Sequence, residues 1–73
     1  MISVKRFNSI AEIQALQKAA CNVPDDVYIH SMDGKTMVDA KSFIGLFSID
    51  FSQDVKIVTE NEKIHKMIAK GQI

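Results

Sequence analysis

Asp33-Gly34 separates two runs rich in β-branched, aromatic and other apolar residues, Asp26 to Met32 and Lys35 to Val38. Both residues of the dipeptide tolerate positive φ, which a tight hairpin turn requires, so the two runs are predicted to pair antiparallel. No other short stretch of the chain commits the backbone so firmly.

The remaining elements follow from spacing. Ile2 and Val4, extending toward Arg6 and Phe7, alternate with Ser3 and Lys5 as a short, half-buried first strand. Ser9 and Glu12 form a capping box, and Ile10, Ile13, Leu16 and Ala20 recur at helical spacing, which predicts a helix over 10–21. Pro24 breaks the chain and holds Val23 out of helical geometry. The segment 42–49 is apolar at Phe43, Ile44, Leu46, Phe47 and Ile49; with Ser42 as its cap it reads as a short helix, Gly45 being a close-packing point. Residues 50–54 form a loop, and 55–59 alternate as a fourth strand. Asn61 or Thr59 opens a last helix with the stripe Ile64, Met67 and Ile68, ended by Gly71. The order is β-α-β-β-α-β-α in one domain spanning 1–73. Helices so few and short cannot cover both faces of a sheet, so the class is α+β, with an antiparallel sheet packed on one face.

A chain of 73 residues hides only roughly 60% of its unfolded surface, enough for a modest core. Nine Lys and Arg balance nine Asp and Glu, so no basic field draws nucleic acid or an anionic membrane. No stretch approaches the roughly 20 apolar residues of a membrane span. Lys5 and Arg6 interrupt the start before a leader's apolar run could build. Cys21 is alone, so no internal disulfide forms and a reducing cytoplasm fits; at the end of an apolar helix it is expected to be a small core residue. One Cys and two distant His give no metal-ligand spacing, and no cofactor is expected.

His30 lies mid-strand, facing solvent or the helix layer according to register, and His65 falls off the apolar stripe of its helix, where a lone histidine is ordinarily just solvated. Neither has a Ser, Cys or carboxylate at a triad-like spacing. Asp25-Asp26 and Glu60/Glu62 read as exposed acidic clusters that aid solubility. The apolar signal is stronger. Phe43 and Phe47 share one face of a very short helix while Ile44 and Leu46 point elsewhere, so one set is less buried; either the core takes every large side chain, or the remainder is a docking patch.

At Asp33-Gly34-Lys35-Thr36, and more tellingly over Asp39-Ala40-Lys41-Ser42-Phe43-Ile44-Gly45-Leu46-Phe47-Ser48-Ile49, the chain resembles HPr, the histidine-containing phosphocarrier of the bacterial sugar phosphotransferase system. The resemblance implies an open-faced β-sandwich, a four-stranded antiparallel sheet with three helices on one face. It also implies that Ser42 is a regulatory phosphorylation site and that Phe43, Ile44 and Phe47 dock protein partners. The plain alternative for Ser42 is an N-cap worth about 1 kcal/mol; both roles are compatible.

The departure concerns the carrier residue. The family bears its phosphate on a histidine in a Gly-x-His-x-Arg-Pro segment, and the corresponding place here reads Asn8-Ser9-Ile10-Ala11-Glu12-Ile13. There is no imidazole to accept a phosphoryl group and no cation to hold it, and Glu12 would repel it. The resemblance therefore implies a non-enzymatic, HPr-like binding or regulatory module of the cytoplasm that has lost phosphohistidine transfer, monomeric or weakly dimeric, with a protein partner and neither nucleic acid nor membrane. The alternatives are a phosphocarrier with an unusual acceptor, or a structural subunit that dimerises through the Phe43/Phe47 face.

Overall fold

The computed structural model describes residues 1–73. Its elements in chain order are β1 (Ile2–Lys5), α1 (Ile10–Cys21), β2 (Tyr28–Ser31), β3 (Met37–Asp39), a 3-10 turn (Gly45–Ser48), β4 (Val55–Val58) and α2 (Glu62–Ala69). The four strands form one sheet in the order β1-β4-β2-β3, with every neighbouring pair antiparallel.

The hairpin around Asp33-Gly34 is present but wider than a two-residue turn. Tyr28, Ile29 and His30 pair with Asp39, Val38 and Met37. The ladder closes where the Ser31 amide donates to the Thr36 carbonyl at 2.9 Å, leaving Met32 to Lys35 as the loop. Only Gly34 takes positive φ, at 74°. Asp33 stays at negative φ, and its carboxylate accepts from the Ser31 hydroxyl at 2.6 Å and the Lys35 amide at 2.9 Å. The hydroxyl first, and the amide second, hold the Asp33 carboxyl below the ordinary value of 3.8.

The apolar face of β1 points the opposite way from the one a core strand would use. Residues paired across an antiparallel sheet share a face, and Val55 and Ile57 of β4 are buried in the core. Their partners in β1 are Lys5 and Ser3, not Val4 and Ile2. Ile2 and Val4 are consequently 61% and 54% exposed on the side away from the helices. Lys5 is accommodated on the inner side by lying 5.2 Å from the Phe7 ring centroid and reaching the Glu12 carboxylate at 3.4 Å.

Both helices start at caps made by the residues at their boundaries. Ser9 Oγ accepts from the Glu12 amide at 3.2 Å, and Glu12 reaches back to the Asn8 amide at 3.1 Å. Leu16, Ala19 and Ala20 carry α1 into the core, while Ile10 stays exposed, contrary to its place in the helical stripe. For α2 the cap is Asn61, whose Oδ1 accepts from the Ile64 amide at 3.1 Å. The helix closes in a Schellman arrangement: Gly71, at φ 73°, donates to Ile68, and Gln72 donates to Met67. Ile64 of α2, Leu16 of α1, Ile29 of β2, and Val55 and Ile57 of β4 belong to one buried cluster with Phe7, Leu46 and Ile73. The helices thus cover one sheet face and leave the other open.

The expected third helix over 42–49 does not form. Only Gly45–Ser48 coil, and as a 3-10 turn, with Ile49 already extended at φ −109° and ψ 146°. Leu46 and Ile49 are the two residues of this stretch that the core takes; Leu46 lies inside the turn and Ile49 in the extended chain that leaves it. Nor is Gly45 forced by packing: a Cβ there would find its nearest neighbour, Ser42 Oγ, at 3.4 Å.

Candidate functional site

Ser42 and the three apolar residues singled out with it sit together between β3 and the 3-10 turn. The chain is delivered there by Asp39, whose carboxylate accepts from the Lys41 amide at 2.9 Å and whose carbonyl accepts from the Ser42 amide at 3.0 Å. Lys41 Nζ donates to the Val23 carbonyl at 3.1 Å, pinning the segment to the loop after α1. The turn begins after Ile44, which carries no side-chain cap; Ser42, just before it, accepts at Oγ from the Gly45 amide at 3.4 Å and at its carbonyl from the Leu46 amide at 3.3 Å. Ser42 is exposed as a residue.

Phe43, Ile44 and Phe47 project outward. They are 38%, 84% and 71% exposed, whereas Leu46, inside the same turn, is 1% exposed. The rings of Phe43 and Phe47 meet edge to face, centroids 5.3 Å apart at 85°. Of the two readings open for this stretch, full use in the core is excluded for Ile44 and Phe47. The contact also restrains two large side chains that face water, lowering the conformational entropy that would be lost on covering them. The two larger clefts, of about 500 and 390 Å³, include none of Ser42, Phe43, Ile44 or Phe47 in their walls.

His65 departs from the expected solvated surface histidine. Its Nε2 lies 2.9 Å from the Thr59 carbonyl and its Nδ1 2.5 Å from Ser3 Oγ. A carbonyl only accepts, so Nε2 carries the hydrogen of that bond; in the neutral ring Nδ1 then accepts from the Ser3 hydroxyl. The ring ties α2 to β1 and to the end of β4. Ser3 and His65 stand 62 positions apart, a separation at which no local pattern announces a pairing. His30 resolves to the open sheet face, between Met37 and Lys56 in register. Cys21 is exposed rather than part of the core.

The acidic residues fall into separate local structures. Asp25 accepts from the Asn61 side chain at 2.8 Å, and Glu60 lies 3.7 Å from the amino terminus. Asp50 accepts from the hydroxyl and amide of Ser52, which together hold its carboxyl below 3.8. No helix is long and apolar enough to cross a membrane. No family model, curated protein or solved structure matches the chain.

Proposed function

We propose that this protein is a divergent HPr-like module without phosphohistidine chemistry, which acts by docking a protein partner on Phe43, Ile44 and Phe47, with Ser42 at the edge of that surface as the regulatory acceptor of a phosphoryl group. The observation that carries this reading is the outward, edge-to-face pair Phe43 and Phe47 beside a buried Leu46. Antiparallel strands with helices on one face support the family resemblance. The carrier position supports the loss of transfer: Asn8, Ser9 and Glu12 are joined in a helix cap, where a phosphoryl group would meet a carboxylate. His65 is a poor substitute, with both ring nitrogens engaged. The module has no enzymatic role of its own and works in the reducing cytoplasm, where an unpaired Cys21 is at home.

Incubation with phosphoenolpyruvate and the first enzyme of the phosphotransferase system should yield no acid-labile phosphohistidine, while a genuine HPr in the same assay is labelled. Stoichiometric labelling lost in His30→Ala or His65→Ala would overturn the loss of transfer. Affinity capture from native extract tests the docking half. Ser42→Asp adds a negative charge beside two phenylalanines, so it should weaken capture of an apolar or acidic partner with little change in melting temperature. Capture that is indifferent to both Ser42→Asp and Phe47→Ala would remove the surface from consideration.

A further inference from the structure

The hydroxyls of this chain differ in what they face. Those of Ser31 and Ser52 donate to Asp33 and Asp50, each at 2.6 Å, carboxylates held below the ordinary value of 3.8 and so unable to take a proton near neutrality. The Thr59 hydroxyl donates to a carbonyl. Ser3 instead meets a base: its Oγ lies 2.5 Å from His65 Nδ1, and imidazole is the side chain that takes and returns protons near neutral pH.

The ring is oriented from its far side. Nε2 is committed to the Thr59 carbonyl at 2.9 Å, which fixes the hydrogen on Nε2 and leaves the Nδ1 lone pair facing the Ser3 hydroxyl. A nucleophile on a base, with the base held by a third group, is the arrangement that makes a hydroxyl an acceptor of acyl groups. The register of β1 sets Ser3 opposite Ile57 on the helix-covered side, and α2 brings His65 to it. Both residues are half-buried, and His65 walls a surface cleft of about 270 Å³ with Met1, Glu62, Lys66 and Ala69.

We infer that Ser3 is a base-activated nucleophile that accepts a short, uncharged acyl group from an activated ester or thioester bound in this cleft. Ser3 Oγ attacks the acyl carbonyl carbon while its proton passes to His65 Nδ1. The bond from that carbon to the leaving oxygen or sulfur then breaks, and the departing alkoxide or thiolate takes the proton from Nδ1. The products are an ester on Ser3, a free alcohol or thiol, and a neutral ring. The Thr59 carbonyl, accepting from Nε2, and the Glu62 carboxylate in the same cleft favour the imidazolium that forms between the two steps. The walls set the acyl class. A cleft of this size lies below the range usual for drug-sized ligands and suits a few atoms. With one carboxylate, one lysine and an amino terminus already engaged by Glu60 at 3.7 Å, it favours no charge on the incoming group. The step is a modification of the module, one acyl group per chain, and is independent of the docking surface on Phe43, Ile44 and Phe47.

The test exposes the full chain to p-nitrophenyl acetate, places each acetyl group by mass spectrometry, and then adds hydroxylamine, which removes acetyl from an oxygen ester and leaves it on an amine. That distinction is needed because Met1, with its own reactive amine, shares the cleft. Ser3 should be acetylated about 10²-fold faster than the other serines, the scale of general-base assistance, and hydroxylamine should release the group. His65→Gln keeps a donor for the Thr59 carbonyl and an acceptor for Ser3 but cannot take the proton. It should slow acetylation of Ser3 about 10²-fold while the melting temperature stays close to the parent's. Acetylation of Ser3 no faster than that of the other serines, or equally fast in His65→Gln, or acetyl confined to Met1 and the lysines, would overturn the inference. Should His65→Gln fail to fold, the comparison among serines in the parent protein decides the matter.

Discussion

Truncating Leu46 to alanine should lower the free energy of unfolding by about 2–5 kcal/mol, while Phe47→Ala, one position along, should cost under about 1 kcal/mol. The residues are neighbours in one turn and both are large and apolar. Leu46 is 1% exposed and belongs to the buried cluster; its removal leaves a cavity bounded by the sheet and by residues whose own positions are fixed by the core. Phe47 is 71% exposed and loses mainly its edge-to-face contact with Phe43, worth about 0.5–1.5 kcal/mol where such pairs are buried and less in water. Denaturant titration of the two variants beside the parent measures the difference directly. A loss of several kcal/mol in Phe47→Ala would mean that the ring is a core element, and the docking surface would have to be given up.

The Leu46/Phe47 contrast also shows where local pattern stops being informative. A run apolar at 43, 44, 46, 47 and 49 announces a segment that touches the core, but not how many of its residues do so. The choice is made by the core, which accepts Leu46 and Ile49 and leaves Phe43, Ile44 and Phe47 outside. The alternation of β1 has the same limit. Ile2 and Val4 against Ser3 and Lys5 define two faces, and only the register with β4 says which is inner; Val55 and Ile57 claim the core, and β1 must follow. Features whose chemistry is complete within a few residues were legible. The Ser9/Glu12 box, the Asn61 cap, the Gly71 stop and a turn at Asp33-Gly34 each satisfy their own backbone groups nearby. Ser42 is not the cap of the turn that does form, which begins after Ile44; its hydroxyl only accepts a long bond from the Gly45 amide. Contacts across the sheet and between layers, such as Ser3 with His65, depend on a fold that must already exist.

Thr59→Val should destabilise the protein by about 1–3 kcal/mol, although the substitution keeps the shape and the β-branch of the side chain. Thr59 follows β4 directly and is buried. Its hydroxyl donates to the Asp26 carbonyl at 2.7 Å and accepts from the Asn61 amide at 3.2 Å. Its backbone amide meets Met1 and its carbonyl meets His65. Four partners from both chain ends, the β2 approach and the α2 cap therefore converge on one residue. Valine retains the two backbone bonds and forfeits both hydroxyl bonds, leaving the Asp26 carbonyl and the Asn61 amide without their partner in a part-buried setting; the penalty is that of unsatisfied polar groups, since little volume changes. Thr59→Ser makes the complementary change, keeping the hydroxyl and removing a methyl, for about 0.8 kcal/mol of lost burial. Equilibrium unfolding should therefore rank valine below serine. In the valine variant, exchange at the Ile64 amide should also accelerate, because Asn61, which accepts from that amide, is no longer held by Thr59. If serine proves the more damaging replacement, the methyl's packing governs this corner and the hydroxyl bonds contribute little to joining β4 and α2.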